Sequence, residues 1–275
     1  MEKYSSTKVP QKRRNHTQTS TTRGRKRARW VAIFLALLMT ILLASPLYAA
    51  SSILVSHGST TTKKIALTFD FGSDAGGLSS ILQTLATYKV KSTFFMTGES
   101  AASNPAAAKT ILAGAHEIGN HSYSHPDFTT ITSTQMVDQL RRTENVLVSQ
   151  TGQKPKPYFR PPYGAYNSTV LQTVGNAGYT HTILWNIDTI DWQNPSTATI
   201  ISRVLDNARN GAIVLMHVSG TINARYALPG IIEGLKSRGY GLVTISELLG
   251  TAVSYTTYTV KAGDTLYKIA SLYNV

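Results

Sequence analysis

Two histidines four residues apart, His121 and His125, stand in the stretch Glu117-Ile-Gly-Asn-His-Ser-Tyr-Ser-His-Pro126, with Thr68-Phe-Asp-Phe-Gly72 upstream and Leu215-Met-His217 downstream. Imidazole is the commonest ligand for borderline metals, and a His-x-x-x-His spacing puts both rings on one side of a helical turn or a tight loop. Together with Asp70 and His217 in those flanking stretches, the pair could build a metal-dependent hydrolase. A histidine pair at this spacing also arises on ordinary helix faces. The pair gains meaning from the company it keeps, namely Asp70, Arg160, Asp188, Asp191 and His217.

The elements that must position these residues follow from hydrophobic patterning. Strand candidates are Ile65–Phe69, Ser92–Met96, His116–Gly119, Tyr158–Arg160, Thr182–Asn186, Ala212–Met216 and Gly241–Ile245. Between them lie runs with helical spacing: Leu78, Ile81, Leu82 and Leu85; Met136, Val137, Leu140, Val146 and Leu147; Ile200, Ile201, Val204 and Leu205. Gly98, Gly114, Gly178, Gly211 and Gly239 fall where helices should stop or strands begin. This βαβ rhythm predicts an α/β fold with a parallel sheet, and about seven units favour a closed or distorted (β/α) barrel over an open sheet. Asp70, the histidine pair, Arg160, Asp188 with Asp191, and His217 then all fall at or just beyond strand ends. In a β/α barrel those ends share one rim, where sites are built. No Gly-x-Gly-x-x-Gly or Walker pattern occurs, so no nucleotide site is expected.

The chain of 275 residues has a formal charge of +13, which suggests nucleic acid until it is located. Residues 1–29 hold ten Lys and Arg against the single acid Glu2, and the remainder is only mildly basic. This tail abuts an apolar stretch at residues 30–50 whose heart, Val31 to Ala44, is broken only by Thr40. A basic cytoplasmic tail followed by a transmembrane or signal segment fits better than a DNA-binding arm, so no nucleic-acid partner is expected. Ala49, Ala50, Ser51 and Ser52 could form a signal-peptidase site. Everything after about residue 50 should then be exported, either anchored at the cell membrane or secreted to the wall. There are no cysteines, so stability must come from the core. The expected organisation is a linker over 51–63, the catalytic domain over 64–250, a second linker over 251–257 and a C-terminal piece over 258–275.

At these residues the chain resembles the NodB-homology polysaccharide deacetylases, carbohydrate esterase family four. The resemblance rests on Thr68-Phe-Asp-Phe-Gly72, His121-Ser-Tyr-Ser-His125, Arg160-Pro-Pro-Tyr-Gly164, Asp188-Thr-Ile-Asp-Trp192 and Leu215-Met-His217, in order. It implies a distorted (β/α) barrel that removes N-acetyl groups from sugars of chitin or peptidoglycan, or O-acetyl groups from xylan. By the same resemblance His121 and His125 hold a divalent metal, zinc in the first instance, with cobalt, nickel or manganese as alternatives. Asp70 is the general base, oriented by Arg160, and His217 is the general acid, kept protonated by Asp191. Tyr163 supplies a backbone N–H for the oxyanion, while Pro161, Trp192 and Leu215 line the substrate. Asp188 has no role beyond a loop or cap.

One position departs from the pattern. The family places a second Asp directly after the base as third metal ligand, and here that residue is Phe71. Either the site works with two histidines and water, or another carboxylate replaces the missing one; Asp74 is the nearest candidate and the favoured one. At the C-terminus, Tyr258-Thr-Val-Lys-Ala-Gly-Asp-Thr-Leu-Tyr-Lys-Ile-Ala270 resembles the first half of a LysM module, a small fold that binds N-acetylglucosamine glycans. The expected function is deacetylation of N-acetylglucosamine residues in peptidoglycan or chitin-like glycans. The competing class is a non-catalytic wall-glycan-binding protein that retains the deacetylase fold; Phe71 favours it, and the complete acid–base set favours the enzyme.

Overall fold

The computed structural model describes residues 51–72 and 74–251, together with 260, 261, 263–265 and 268. The basic tail, the apolar segment at 30–50 and most of the LysM-like piece lie outside the described residues. Among the described residues no helix is long and apolar enough to cross a membrane.

The strands are β1 (Ile53–Val55), β2 (Lys64–Phe71), β3 (Thr93–Met96), β4 (Glu117–Asn120), β5 (Tyr158–Phe159), β6 (His181–Ile183), β7 (Ile187–Asp188), β8 (Ile213–His217) and β9 (Gly241–Val243). They pair in parallel in the order β1-β6-β5-β4-β3-β2-β8-β7, and β9 adds to the start of β2. The stretch 181–188 pairs with β5 at its beginning and with β8 at its end. The sheet therefore curls round on itself through one interrupted strand, which is the distortion expected of this barrel. Two expectations are corrected. The strand placed at Thr182–Asn186 is two short strands flanking a break at residues 184–186, where Asn186 turns its side-chain oxygen to the Ile213 N–H (3.0 Å). The segment 51–63, expected as a linker, carries β1, which pairs with His181–Ile183; three residues are too few to show a period. The nine strands among the described residues thus exceed the seven expected.

The helices are α1 (Leu78–Thr87), α2 (Gly98–Ser103), α3 (Pro105–Ala113), α4 (Ser133–Thr151), α5 (Ser168–Asn176), α6 (Thr197–Asp206), α7 (Ala224–Ser237) and α8 (Ile245–Leu249). The apolar spacing places α1, α4 and α6 as expected. Local chemistry fixes the ends of α4: Thr132 and Gln135 form a reciprocal cap at its start, and Gly152, at φ +72°, ends it in the left-handed conformation that glycine adopts without cost.

Along β2 the pleat sorts residues between two cores. Ile65, Leu67, Phe69 and Phe71 pack outward under the helices, with Ile81 and Leu85 of α1 and Ile231 and Leu235 of α7. Ala66 packs inward with Phe95, Tyr158, Ile183 and Ile213. Side chains two apart share a face, so Thr68 and Asp70 follow Ala66 to the inside. On β8, Leu215 and His217 likewise follow Ile213. Burying each large apolar side chain contributes roughly 1.5–3 kcal/mol, so the outward core holds β2 and β8 rigid while their inward polar residues face the barrel mouth.

Candidate active site

Asp70 and His217 lie directly opposite each other in the β2–β8 register, one strand apart. Asp70 is almost fully buried, and its Oδ1 accepts a 2.7 Å hydrogen bond from Nη1 of Arg160. Arg160, at 0% exposure just after β5, spends three more donors inside the barrel: Nε on the Ile183 carbonyl (3.2 Å), and Nη2 on Thr68 Oγ1 (3.0 Å) and the Leu184 carbonyl (3.3 Å). Its guanidinium also stacks 4.0 Å from the Phe95 ring. Burial alone would raise the Asp70 pKa, but the Arg160 charge, the neighbouring imidazoles and the Arg160 hydrogen bond together hold it below the ordinary carboxylate value. Asp70 is therefore an ionised, oriented carboxylate.

His121 follows β4. Its Nδ1–H donates to the Arg160 carbonyl (2.8 Å), which fixes the tautomer and leaves Nε2 bare, 3.4 Å from Asp70 Oδ2. The histidine pair sits on a tight loop, as one of the two expected geometries, in which Ser122 and His125 both take positive φ (67° and 61°). Asn120 shapes that loop: its Oδ1 accepts the Ser122 N–H (2.8 Å) while its Nδ2 is held by the Leu140 carbonyl (3.0 Å) and the Tyr179 hydroxyl (2.7 Å). Ser122 Oγ in turn accepts the His125 N–H at 3.1 Å. The two imidazole rings lie edge to face with centroids 4.9 Å apart, and the Tyr163 ring covers His125 at 4.7 Å. Burial pushes His121 down to about 4 and lowers His125 as well, so both rings are neutral near pH 7.

Two neutral imidazoles, one with its second nitrogen tied to a carbonyl, are the donor chemistry a divalent cation takes. They fit such an ion, and the carboxylate beside them is Asp70, whose Oδ2 lies 3.4 Å from His121 Nε2. Among the described residues no three His, Asp, Glu or Cys side chains are assembled to hold a metal. Phe71 explains part of this, because it points away from Asp70 into the helix-covered core and is fully buried there. Asp74 is not brought to the pair either. Its Oδ1 accepts the Gly76 N–H (2.8 Å), and its Oδ2 accepts Ser219 Oγ (2.6 Å) and the Gly220 N–H (2.7 Å).

His217, at the end of β8, is gripped by Asp191 through both ring and backbone. Its Nδ1–H donates to Oδ1 (2.7 Å) and its amide to Oδ2 (2.8 Å). Burial disfavours the imidazolium, yet the fully buried Asp191, aided by Asp70 and Asp188, raises the His217 pKa above the ordinary histidine value. Asp191 is placed by a strained turn. Ile190 is held at φ +51°, unusual for a β-branched residue, and Asp188 Oδ1 caps its N–H at 2.8 Å. Asp188 thus has the loop-capping role expected of it. The same turn projects Trp192, which is 60% exposed, and Tyr163, beside His125, is 70% exposed at φ +60°. Leu215 is nearly buried on the inward face two residues before His217, at the floor of the mouth, and Pro161 begins the turn that carries Tyr163.

Sequence reasoning gave no role to Thr68 and Asn120, which orient Arg160 and the histidine loop. A polar side chain facing inward from a strand, two residues before Asp70 in one case and next to His121 in the other, was the available signal. A cavity of about 540 Å³ lined by Lys91, His116, Glu117 and Tyr158 lies at the opposite ends of β3, β4 and β5, away from these residues.

The chain is similar to known deacetylases in sequence and in fold. A polysaccharide deacetylase family model matches residues 57–182, and a LysM domain model matches residues 258–275. A peptidoglycan-N-acetylglucosamine deacetylase of Listeria monocytogenes is 39% identical over 190 residues, which are 69% of this chain and 40% of the relative. The chain thus spans well under half the length of that relative. A solved peptidoglycan N-acetylglucosamine deacetylase, in complex with a naphthalenyl N-oxidanyl-benzamide, is 33% identical with a TM-score of 0.69, covering 72% of this chain and 94% of its own. A pseudoenzyme of carbohydrate esterase family four from Bacillus anthracis is 35% identical with a TM-score of 0.68, covering 72% of this chain and 69% of its own.

Proposed function

We propose, from the premise that the chain belongs to the polysaccharide deacetylase family, that it hydrolyses the acetamide of N-acetylglucosamine residues in peptidoglycan or a chitin-like glycan. The observation that carries this is the opposed pair on adjacent strands: a carboxylate held ionised by Arg160 faces an imidazole held protonated by Asp191. Environments that push two neighbouring titratable groups apart in this way assign a base and an acid.

An acetamide has a weakly electrophilic carbonyl and a poor leaving nitrogen, so it needs help at both atoms. Asp70 takes the proton from the attacking water, with Arg160 and Thr68 fixing the direction of its free oxygen. His217 delivers its proton to the departing nitrogen, and Asp191 stabilises the charge it carries beforehand. The Tyr163 N–H stabilises the negative charge that develops on the acetyl oxygen. Trp192 offers an exposed face for a sugar ring, and Leu215 forms an apolar floor for the acetyl methyl. A divalent ion held by His121 and His125, zinc foremost, would polarise the carbonyl and acidify water. The N-hydroxyamide bound by the solved relative is a chelating group, which supports the same reading. Residues 30–50 would carry the domain to the outer face of the membrane or be cleaved to release it, and the C-terminal LysM match would add affinity for the glycan.

Phe71 and the likeness to a family pseudoenzyme support a second reading, a glycan-binding protein without turnover. Acetate release from peptidoglycan fragments, with and without a chelator, separates the two. Release that the chelator abolishes is expected. Tight glycan binding with no acetate at any metal concentration would replace the first reading by the second.

A further inference from the structure

We propose that Asp74 is a latch that positions the base and the acid: it ties the loop after β2 to the loop after β8 and so fixes Asp70 and His217 relative to each other. The role in catalysis rests on the reading given above; the latch itself rests on geometry.

The two strands leave the sheet side by side. Their last shared backbone bond runs from the Val218 N–H to the Asp70 carbonyl at 2.9 Å. Beyond it each chain must turn away toward its own helix, α1 in one case and α7 in the other. Asp74 holds them together at that point. One carboxylate oxygen accepts from its own loop, at Gly76, and the other accepts twice from the facing loop, at Ser219 Oγ and the Gly220 N–H. The Ser219 hydroxyl has one proton, which it gives to Asp74, and it accepts the Thr221 N–H at 3.1 Å. Ser219 is thus held from both sides, two residues beyond His217.

Glycine makes this approach feasible. A Cβ on Gly77 would stand 2.2 Å from the Ser219 carbonyl oxygen, and one on Gly76 would stand 3.0 Å from the Gly220 Cα. Both loops therefore touch backbone to backbone, and a side chain at either position would force them apart. Arg225, at the start of α7, adds a positive charge beside the carboxylate, and the three hydrogen bonds hold the Asp74 pKa low. A carboxylate committed to three donors on these two loops is directed at the loops, not at the histidine pair.

The test compares Asp74→Ala, Asp74→Asn and Ser219→Ala in the full chain by three readouts: amide hydrogen exchange, zinc affinity and steady-state kinetics. A hydrogen bond to a charged group corresponds to about tenfold to a hundredfold in an opening equilibrium. Exchange at Gly76, Gly220 and Val218 should therefore accelerate by about that factor in Asp74→Ala. Zinc affinity should stay unchanged. The kcat should fall by about tenfold with KM nearly constant, because a misplaced acid–base pair affects the transition state and not ground-state binding. Asp74→Asn, which keeps one acceptor oxygen, should lie between Asp74→Ala and the parent, and Ser219→Ala should give a milder form of the same result.

A large loss of zinc affinity in Asp74→Ala would make the residue a ligand and overturn the latch. Faster exchange at Gly76 and Gly220 without any change at Val218 would show a local turn that positions nothing, which also overturns it. A parent chain that releases no acetate removes the proposed hydrolase function but leaves the exchange and zinc measurements to decide the latch on their own.

Discussion

Arg160→Met is the most informative single perturbation of this site. It preserves an unbranched side chain against Phe95 while leaving Asp70 buried with its partner gone. Breaking a buried ion pair from one side costs about 3–5 kcal/mol, because the remaining charge keeps its desolvation penalty without compensation. The Ile183 and Leu184 carbonyls lose a donor as well, which places the expected value toward the upper end. At about 2–4 °C per kcal/mol for a domain of this size, the melting temperature should drop by roughly 8–20 °C. The pH dependence gives a second check. In the parent chain Asp70 has a folded pKa below its unfolded value, so its contribution is fully present above the ordinary aspartate pKa and is lost as pH falls through the folded one. Without Arg160, burial dominates and the folded pKa lies above the unfolded one. The penalty is then largest at neutral pH and fades on acidification. Denaturant melts at about pH 7 and about pH 4 should show the gap between parent and variant narrowing toward acid. Asp70→Leu combined with Arg160→Met should recover a large part of the loss, since an apolar pair often replaces a buried ion pair at little cost. Additive losses in the double variant, or a gap independent of pH, would refute the claim that these two residues are coupled by charge.

Further outcomes follow from the same geometry. Asp70→Asn and His217→Ala should each reduce turnover by about 10²–10⁴-fold, the usual contribution of a general acid or base, while glycan binding measured by calorimetry persists; near-native rates would remove the assignment. Trp192→Ala should raise KM for oligosaccharides with little change in kcat, because an exposed ring at the rim binds ground and transition states alike; an equal fall in kcat would instead tie the ring to the Asp191 turn. Protease added to intact cells should digest the domain beyond residue 50 and spare residues 1–29. A domain digested only after lysis would place it inside.

The residues that converge at the barrel mouth were legible because their motifs are local. Asp70, the His121 and His125 pair, Arg160, Asp191 and His217 each sit at the end of an apolar run, and a parallel sheet brings such ends to one rim. Asp74, expected as a third ligand, meets other donors in this structure. It is the carboxylate nearest in sequence to Phe71, but nearness along a loop says nothing about direction, and the donors that claim it come from residues 219 and 220, more than 140 positions away. The strand break at 184–186 and the short β1 were hidden because pairing with distant partners, not periodicity, defines elements of two or three residues.

By itself, then, the sequence determined the α/β rhythm and the placing of the polar residues at strand ends, since these depend on residue type and on a period of two or 3.6. The resemblance named Arg160 beside Asp70 and Asp191 beside His217; tertiary structure alone decided that Asp191 grips His217 through ring and backbone, that Phe71 joins the helix-side core, and that Asp74 accepts hydrogen bonds from two loops. Hydrogen bonds and ion pairs act over about 3 Å between residues that may be 150 positions apart, so their pairing is a property of the folded chain and not of any segment of it.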